Sequence, residues 1–157
     1  MERVSGESLN AFMKRHFFEP LGMAATQWRD DHTRIVKNRA TAYAAGPNGY
    51  RIDMPFENVY GNGGLLTTVA DLLTWTQNLE TARVGGRALV NELHRRGRLN
   101  DGEEISYALG LFVGEHNGVP EVSHTGSTAG YRAFLARYPD QKVAVAVLCN
   151  AGNVNPG

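Results

Sequence analysis

Residues 107–149 read YALGLFVGEHNGVPEVSHTGSTAGYRAFLARYPDQKVAVAVLC, and the punctuation of this stretch decides the fold class. Four apolar or alternating segments, 107–115, 119–125, 131–138 and 142–149, are separated by Asn117-Gly118, by the run from Gly126 to Gly130, and by Pro139-Asp140. Asn-Gly between alternating runs marks a two-residue hairpin, and Gly and Pro-Asp interrupt strands for reasons of backbone geometry. The expectation is an antiparallel meander. Val143 to Cys149 is apolar at every position, so both faces of that strand require cover.

Upstream of the strands the period changes to helical. Leu9, Phe12, Met13 and Phe17 share one helical face, Ser5 is placed to cap the start, and Pro20 and Gly22 end the run. Residues 24–62 lack a sustained period and are rich in Asn, Asp, Gly and Pro, which predicts a long excursion with little regular structure. Thr68 followed by Asp71 resembles a capping box, and Val69, Leu72, Trp75 and Leu79 line the helix behind it. A shorter helix is expected over Leu89 to Arg96. The fold class is therefore α+β, an antiparallel sheet with flanking helices. Residues 1–157 read as a single unit, helical over about 5–96 and stranded over about 105–150.

Composition excludes several classes of function. Sixteen basic residues cancel 16 acidic ones and are scattered, so nothing marks a nucleic-acid partner. No apolar run approaches the ~20 residues of a membrane span, and MERVSGESLN has no apolar core of a signal peptide. Cys149, the single cysteine, rules out an internal disulfide and reads as a buried small hydrophobe. His16, His32, His94 and His116 show no ligand spacing, so neither a metal nor another cofactor is expected.

Four strings in order resemble one family: Phe18-Glu19-Pro20-Leu21-Gly22-Met23, Gly61-Asn62-Gly63-Gly64-Leu65-Leu66-Thr67-Thr68 with Asp71-Leu72, His124-Thr125-Gly126-Ser127, and Gly130-Tyr131. Together they are similar to the serine β-lactamase and D,D-peptidase family, in its class C β-lactamase, D,D-carboxypeptidase and esterase branch. The resemblance covers nearly the whole chain and implies its C-terminal half, a partial β-lactamase/penicillin-binding-protein-like fold. Members of this family are often periplasmic or secreted, and the sequence does not say where this chain resides.

The resemblance also implies a division of labour. In the family, the serine of Ser-x-x-Lys is the nucleophile and Tyr-x-Asn aids proton transfer. The three lysines here, Lys14, Lys37 and Lys142, have Ala11, Arg34 and Pro139 three positions earlier, so no Ser-x-x-Lys is present. Tyr60-Gly61-Asn62 matches Tyr-x-Asn as a string but stands directly before the Gly-Gly-Leu segment, the wrong place for that role. The expectation is that both missing motifs lie ahead of Val4-Ser5-Gly6, with Met1 an internal or engineered start.

His124-Thr125-Gly126 resembles the family's third motif, on the strand bordering the active site. Carried over, His124 is catalytic, the backbone N–H of Ser127 is an oxyanion donor, and Thr125 and Gly126 bind substrate, with Asn155 as a further contact to a substrate carboxylate. A self-contained Ser-His-Asp triad with Ser123 or Ser127 is disfavoured, because neighbours on a strand face opposite ways.

Three functional classes remain open at this point: a hydrolase portion inactive alone, a non-catalytic binding module, and an enzyme of unorthodox chemistry. The expected partners are a small acyl substrate and either the missing N-terminal half or another copy of the chain, because uncovered sheet favours association.

Overall fold

The computed structural model describes residues 1–157 apart from Glu57 and Val59. The N-terminal amphipathic run is helical in pieces: α1 (Glu2–Ser5), α2 (Leu9–Met13), a π-helical turn over Lys14–Phe18 and α3 (Glu19–Leu21). Ser5 is not the cap of the long run. It lies in α1, where its hydroxyl meets Met1 and Glu7, and Gly6 closes that turn at φ 72°. Ser8 caps α2 by accepting from Ala11 N. Pro20 has no N–H, and its ring crowds the carbonyl four residues back. The ladder widens just before it, to a bond from Glu19 N to Lys14 O. Gly22 then ends the helix in the left-handed region, at φ 78°.

This helix and the turn after it bury Phe18, Leu21 and Met23, around which Met13, Phe17, Trp28, Trp75 and Val84 pack. Each large apolar side chain so buried contributes about 1.5–3 kcal/mol. Trp75 belongs to α4 (Val69–Thr81), whose Thr68 cap accepts from Asp71 N at 3.2 Å as the sequence predicts. The other half of the capping box is absent. Asp71 instead accepts from Thr26 Oγ1 (2.7 Å) and Ala25 N (3.0 Å), tying the turn after α3 to the start of α4. Because Thr26 uses its proton on Asp71, Thr67 is the donor in the 2.8 Å contact between the two threonine hydroxyls. Helix α5 (Gly86–His94) starts and ends earlier than expected, after Gly85 at φ 83°.

The meander forms as one four-stranded antiparallel sheet in the order β5-β6-β7-β8. Its strands are β5 (Phe112–His116), β6 (Val119–Thr128), β7 (Tyr131–Tyr138) and β8 (Val143–Cys149). Asn117 and Gly118, at φ 52° and 79°, make the expected hairpin turn. Two boundaries differ from the sequence reading. Residues 107–111 are not strand: Gly110 at φ 79° folds Ser106–Val113 back on itself, with Val113 N donating to Ser106 O. Gly126, Ser127 and Thr128, which read as turn, remain in β6 opposite Ala133, Arg132 and Tyr131, and only Ala129-Gly130 turns.

Cross-strand partners share a face, which divides the sheet. Val122, Arg137 and Ala144 form one row, and the Arg137–Glu80 ion pair (3.6 Å) shows that α4 lies on this face. On the opposite face Val143 and Val145 remain 49% and 40% exposed, and Leu148 on the α4 side 40%, so the expected cover of β8 is incomplete on both faces among the described residues. Cys149, expected to be buried, is half-buried at the end of β8.

The long excursion holds more structure than its composition suggests. β1 (Gln27–Trp28) pairs with β4 (Leu65–Leu66), and β2 (Tyr43–Gly46) with β3 (Gly49–Ile52) across Pro47-Asn48. The β2–β3 hairpin docks on the meander: Tyr43 N donates to Asn150 O, Gly152 N to Tyr43 O and Gly130 N to Asp53 O. A Cβ at Gly130 would fall 2.5 Å from Tyr43 N and 2.6 Å from Tyr43 O, so only glycine admits this crossing. Beside it, the Tyr131 hydroxyl donates to Ala40 O and accepts from Arg39 Nε at 3.3 Å. Gly130-Tyr131 thus pins the excursion to the far end of β6.

Candidate active site

Which way the backbone of β6 faces follows from its neighbour. Val113 directs its N–H to Ser106, away from β6, so Phe112 and Gly114 are the β5 residues whose polar groups face β6, opposite Ser123 and Glu121. The odd-numbered residues of β6 therefore face the β5 side. β5 ends opposite Ser123, yet β6 continues, and the same alternation turns the N–H and C=O of Thr125 and Ser127 onto an edge that no strand pairs among the described residues. An extended chain or an acyl group lying along this edge meets backbone donors and acceptors at two-residue intervals.

Gly126, between them, faces β7. A Cβ there would come within 3.3 Å of the Ala133 methyl, so crowding across the strand pair explains the glycine. Arg132, the register partner of Ser127, donates through one guanidinium nitrogen to Ala129 O and Tyr131 O, both at 2.7 Å, which places a cation at the turn just beyond Ser127.

His124 is held from both ends. Its Nδ1 meets the Thr125 carbonyl and its Nε2 lies 2.9 Å from the Tyr107 hydroxyl. Its ring stacks on Phe112, with centroids 5.7 Å apart and planes at 27°, and Tyr107 meets Phe112 edge-on at 4.8 Å. Sequence reasoning missed Tyr107 and Phe112. The available signal was Gly110 between two aromatics, a small hairpin that brings both rings to the end of β5.

The other sequence candidates fall elsewhere. Ser123 donates to Glu121 Oε1 (2.8 Å) and Tyr138 to Glu121 Oε2 (2.7 Å), so Ser123 belongs to a separate polar cluster and not to a triad with His124. The bond to Glu121, with burial and the carboxylate charge added, raises the Tyr138 phenol above the ordinary tyrosine range. Asn155 lies on the exposed tail and its amide oxygen accepts from Gly157 N at 3.4 Å. Gly157 rests against the ring of Phe134, the register partner of Thr125, which brings the tail over the sheet face that carries Thr125. Tyr60 lines a shallow recess with Met1, Glu2, Arg3 and Leu9, beside the N-terminal helices. No group of three His, Cys, Asp or Glu able to hold a metal occurs among the described residues, and none of their helices is long and apolar enough to cross a membrane.

Comparison with known proteins agrees with this architecture. The family model described as Beta-lactamase matches residues 1–157. Penicillin-binding protein 4* of Bacillus subtilis (strain 168) is 28% identical over 172 residues, spanning 96% of this chain and 36% of that protein. A D-aminopeptidase of Brucella ovis is 22% identical, spanning 96% of this chain and 29% of its own. The octameric penicillin-binding protein homologue from Pyrococcus abyssi superposes with a TM-score of 0.82 at 26% identity, covering 99% of this chain and 36% of that one. For a D-stereospecific amidohydrolase from Streptomyces the TM-score is 0.72 at 20% identity, covering 97% and 47%. The chain thus spans about a third of the length of the curated relatives it matches.

Proposed function

The chain belongs to the beta-lactamase family, and on that premise we propose that it is the substrate-positioning and oxyanion-binding part of a serine acyl hydrolase whose nucleophile lies outside these residues. The observation that carries this reading is the open edge of β6 at Thr125 and Ser127, preset by His124. In acyl transfer a serine Oγ adds to the carbonyl carbon while a base takes its proton, and the carbonyl oxygen becomes an oxyanion. The Ser127 N–H is directed to receive that oxyanion, and one such donor is worth about 3 kcal/mol. Thr125 and Gly126 seat the acyl chain along the strand, His124 sets the shape of the edge, and Asn155 on the tail meets a substrate carboxylate. Collapse expels the leaving group with a proton, and water then hydrolyses the acyl-serine. The substrate class is a β-lactam, a D-Ala-D-Ala peptide or an ester.

Without Ser-x-x-Lys, the chain by itself forms no acyl adduct. Intact mass after incubation with a β-lactam or an activated ester tests this: an unchanged mass is expected. A stoichiometric adduct abolished by Ser127→Ala would place the nucleophile within this chain and refute the division of labour.

Self-association belongs to the same reading. Val143, Val145 and Leu148 leave apolar surface exposed along β8, and a homologue from Pyrococcus abyssi is octameric. Sedimentation is expected to show a dimer or larger species. A compact monomer across micromolar concentrations would count against it.

A further inference from the structure

We propose that Tyr107 is a positioning residue: its hydroxyl fixes the tautomer and orientation of His124 and, through His124, the Thr125 carbonyl on the open edge of β6. This rests on reading that edge as the acyl-binding one. The direction of each hydrogen bond follows from chemistry. A carbonyl oxygen only accepts, so the Nδ1 facing Thr125 O carries a proton. In the neutral ring Nε2 is then the acceptor, and the Tyr107 O–H, 2.9 Å away, is its donor. The result is a one-way chain from Tyr107 through the imidazole to Thr125, in which each bond polarises the next.

The position of Tyr107 is itself determined by packing. Its carbonyl accepts from Gly97 N at 2.8 Å, and a Cβ on Gly97 would stand 3.1 Å from that oxygen, so the close approach favours glycine. Phe112 contacts both the Tyr107 and His124 rings and prevents the imidazole from swinging out of line. With both nitrogens engaged, His124 offers no free ring nitrogen to a ligand. It acts through Thr125 and through Tyr107, whose oxygen keeps acceptor lone pairs at the border of the site.

The test reads the tautomer directly, by long-range proton–nitrogen NMR of the histidine rings in the chain and in Tyr107→Phe, at a pH where the rings are neutral. Phenylalanine keeps the ring contacts and removes only the hydroxyl. The wild type is expected to show His124 protonated on Nδ1 alone, and the variant a mixture of both tautomers. His94, whose Nδ1 lies 2.7 Å from Val90 O, serves as the internal control and is expected to be unchanged. A wild-type His124 protonated on Nε2, or an unaltered tautomer in the variant, would overturn the proposal. So would a variant in which His94 changes as well, because Tyr107 would then support the fold at large and not the imidazole. None of these readouts requires turnover, so they are decided independently of whether a polypeptide that also carries Ser-x-x-Lys hydrolyses an ester.

Discussion

Replacing Gly130 by alanine places a methyl group 2.5, 2.6 and 2.8 Å from the N, O and C atoms of Tyr43. These are backbone atoms hydrogen-bonded on either side of the Tyr43 Cα, so no side-chain rotation relieves the overlap. Overpacking of this kind costs about 1–3 kcal/mol. Where the overlap also displaces Tyr43, one or both of its bonds with Asn150 and Gly152, at 2.9 and 2.8 Å, are strained or broken, at about 1 kcal/mol each. The combined loss is about 2–5 kcal/mol, equivalent in a chain of this size to a fall in Tm of roughly 5–15 °C. Gly63→Ala provides the reference, since nothing lies within 4 Å of its added Cβ and its φ is not positive. Thermal and urea unfolding of the two variants beside the wild type gives the comparison. A Gly130→Ala protein within about 0.5 kcal/mol of Gly63→Ala would show that the crossing of Tyr43 over the β6–β7 turn does not constrain the fold.

Three further outcomes are expected. In a polypeptide that restores Ser-x-x-Lys and Tyr-x-Asn upstream, His124→Ala or Thr125→Ala should lower kcat/KM on an activated ester about 10- to 1000-fold, or roughly 1.4–4 kcal/mol, with unfolding little changed; unchanged kinetics would reduce the motif to a strand end. Asp71→Ala removes the acceptor of Thr26 Oγ1 and Ala25 N and should cost about 2–4 kcal/mol in urea unfolding, whereas an effect under about 0.5 kcal/mol would mean that solvent replaces the carboxylate. The Tyr138 phenol, raised by its bond to Glu121, should ionise above the ordinary tyrosine range in an ultraviolet titration and return toward that range in Glu121→Gln. Because the folded value lies above the unfolded one, this bond stabilises the fold below the ordinary tyrosine range and its contribution is lost as pH rises through the raised value.

The parts legible in the sequence are those whose causes are local. Asn117-Gly118, the Thr68 cap and the apolar periods of α4, β7 and β8 each act within a few residues, and each is found where the pattern puts it. Errors arise where a tertiary partner overrides composition. Gly126-Ser127-Thr128 has turn chemistry, yet Ala133, Arg132 and Tyr131 hold it in the ladder. Residues 107–111 have strand chemistry, yet Gly110 bends them. The β2–β3 hairpin was unreadable because its docking sites, Gly130 and Asn150, lie far along the chain. The same is true of the candidate site. His124 to Ser127 stood out through a resemblance, whereas Tyr107, 17 residues away, becomes visible only when the hairpin brings its hydroxyl to the imidazole.

The docking of the excursion also has a consequence for the order in which the chain organises. The bonds from Tyr131 to Ala40 and from Asn150 to Thr41 join residues 91 and 109 positions apart, while the meander closes through turns of a few residues. Loop closure must precede such distant contacts and is repaid only once both surfaces exist. The β5–β8 sheet is therefore expected to form without residues 39–54, which then attach onto a finished β6–β7 turn. On unfolding they are expected to leave first. Amide exchange at Tyr43 and Asp53 should accordingly proceed through a smaller opening than exchange within β7, making the segment beside the end of β6 a separate, less stable cooperative unit.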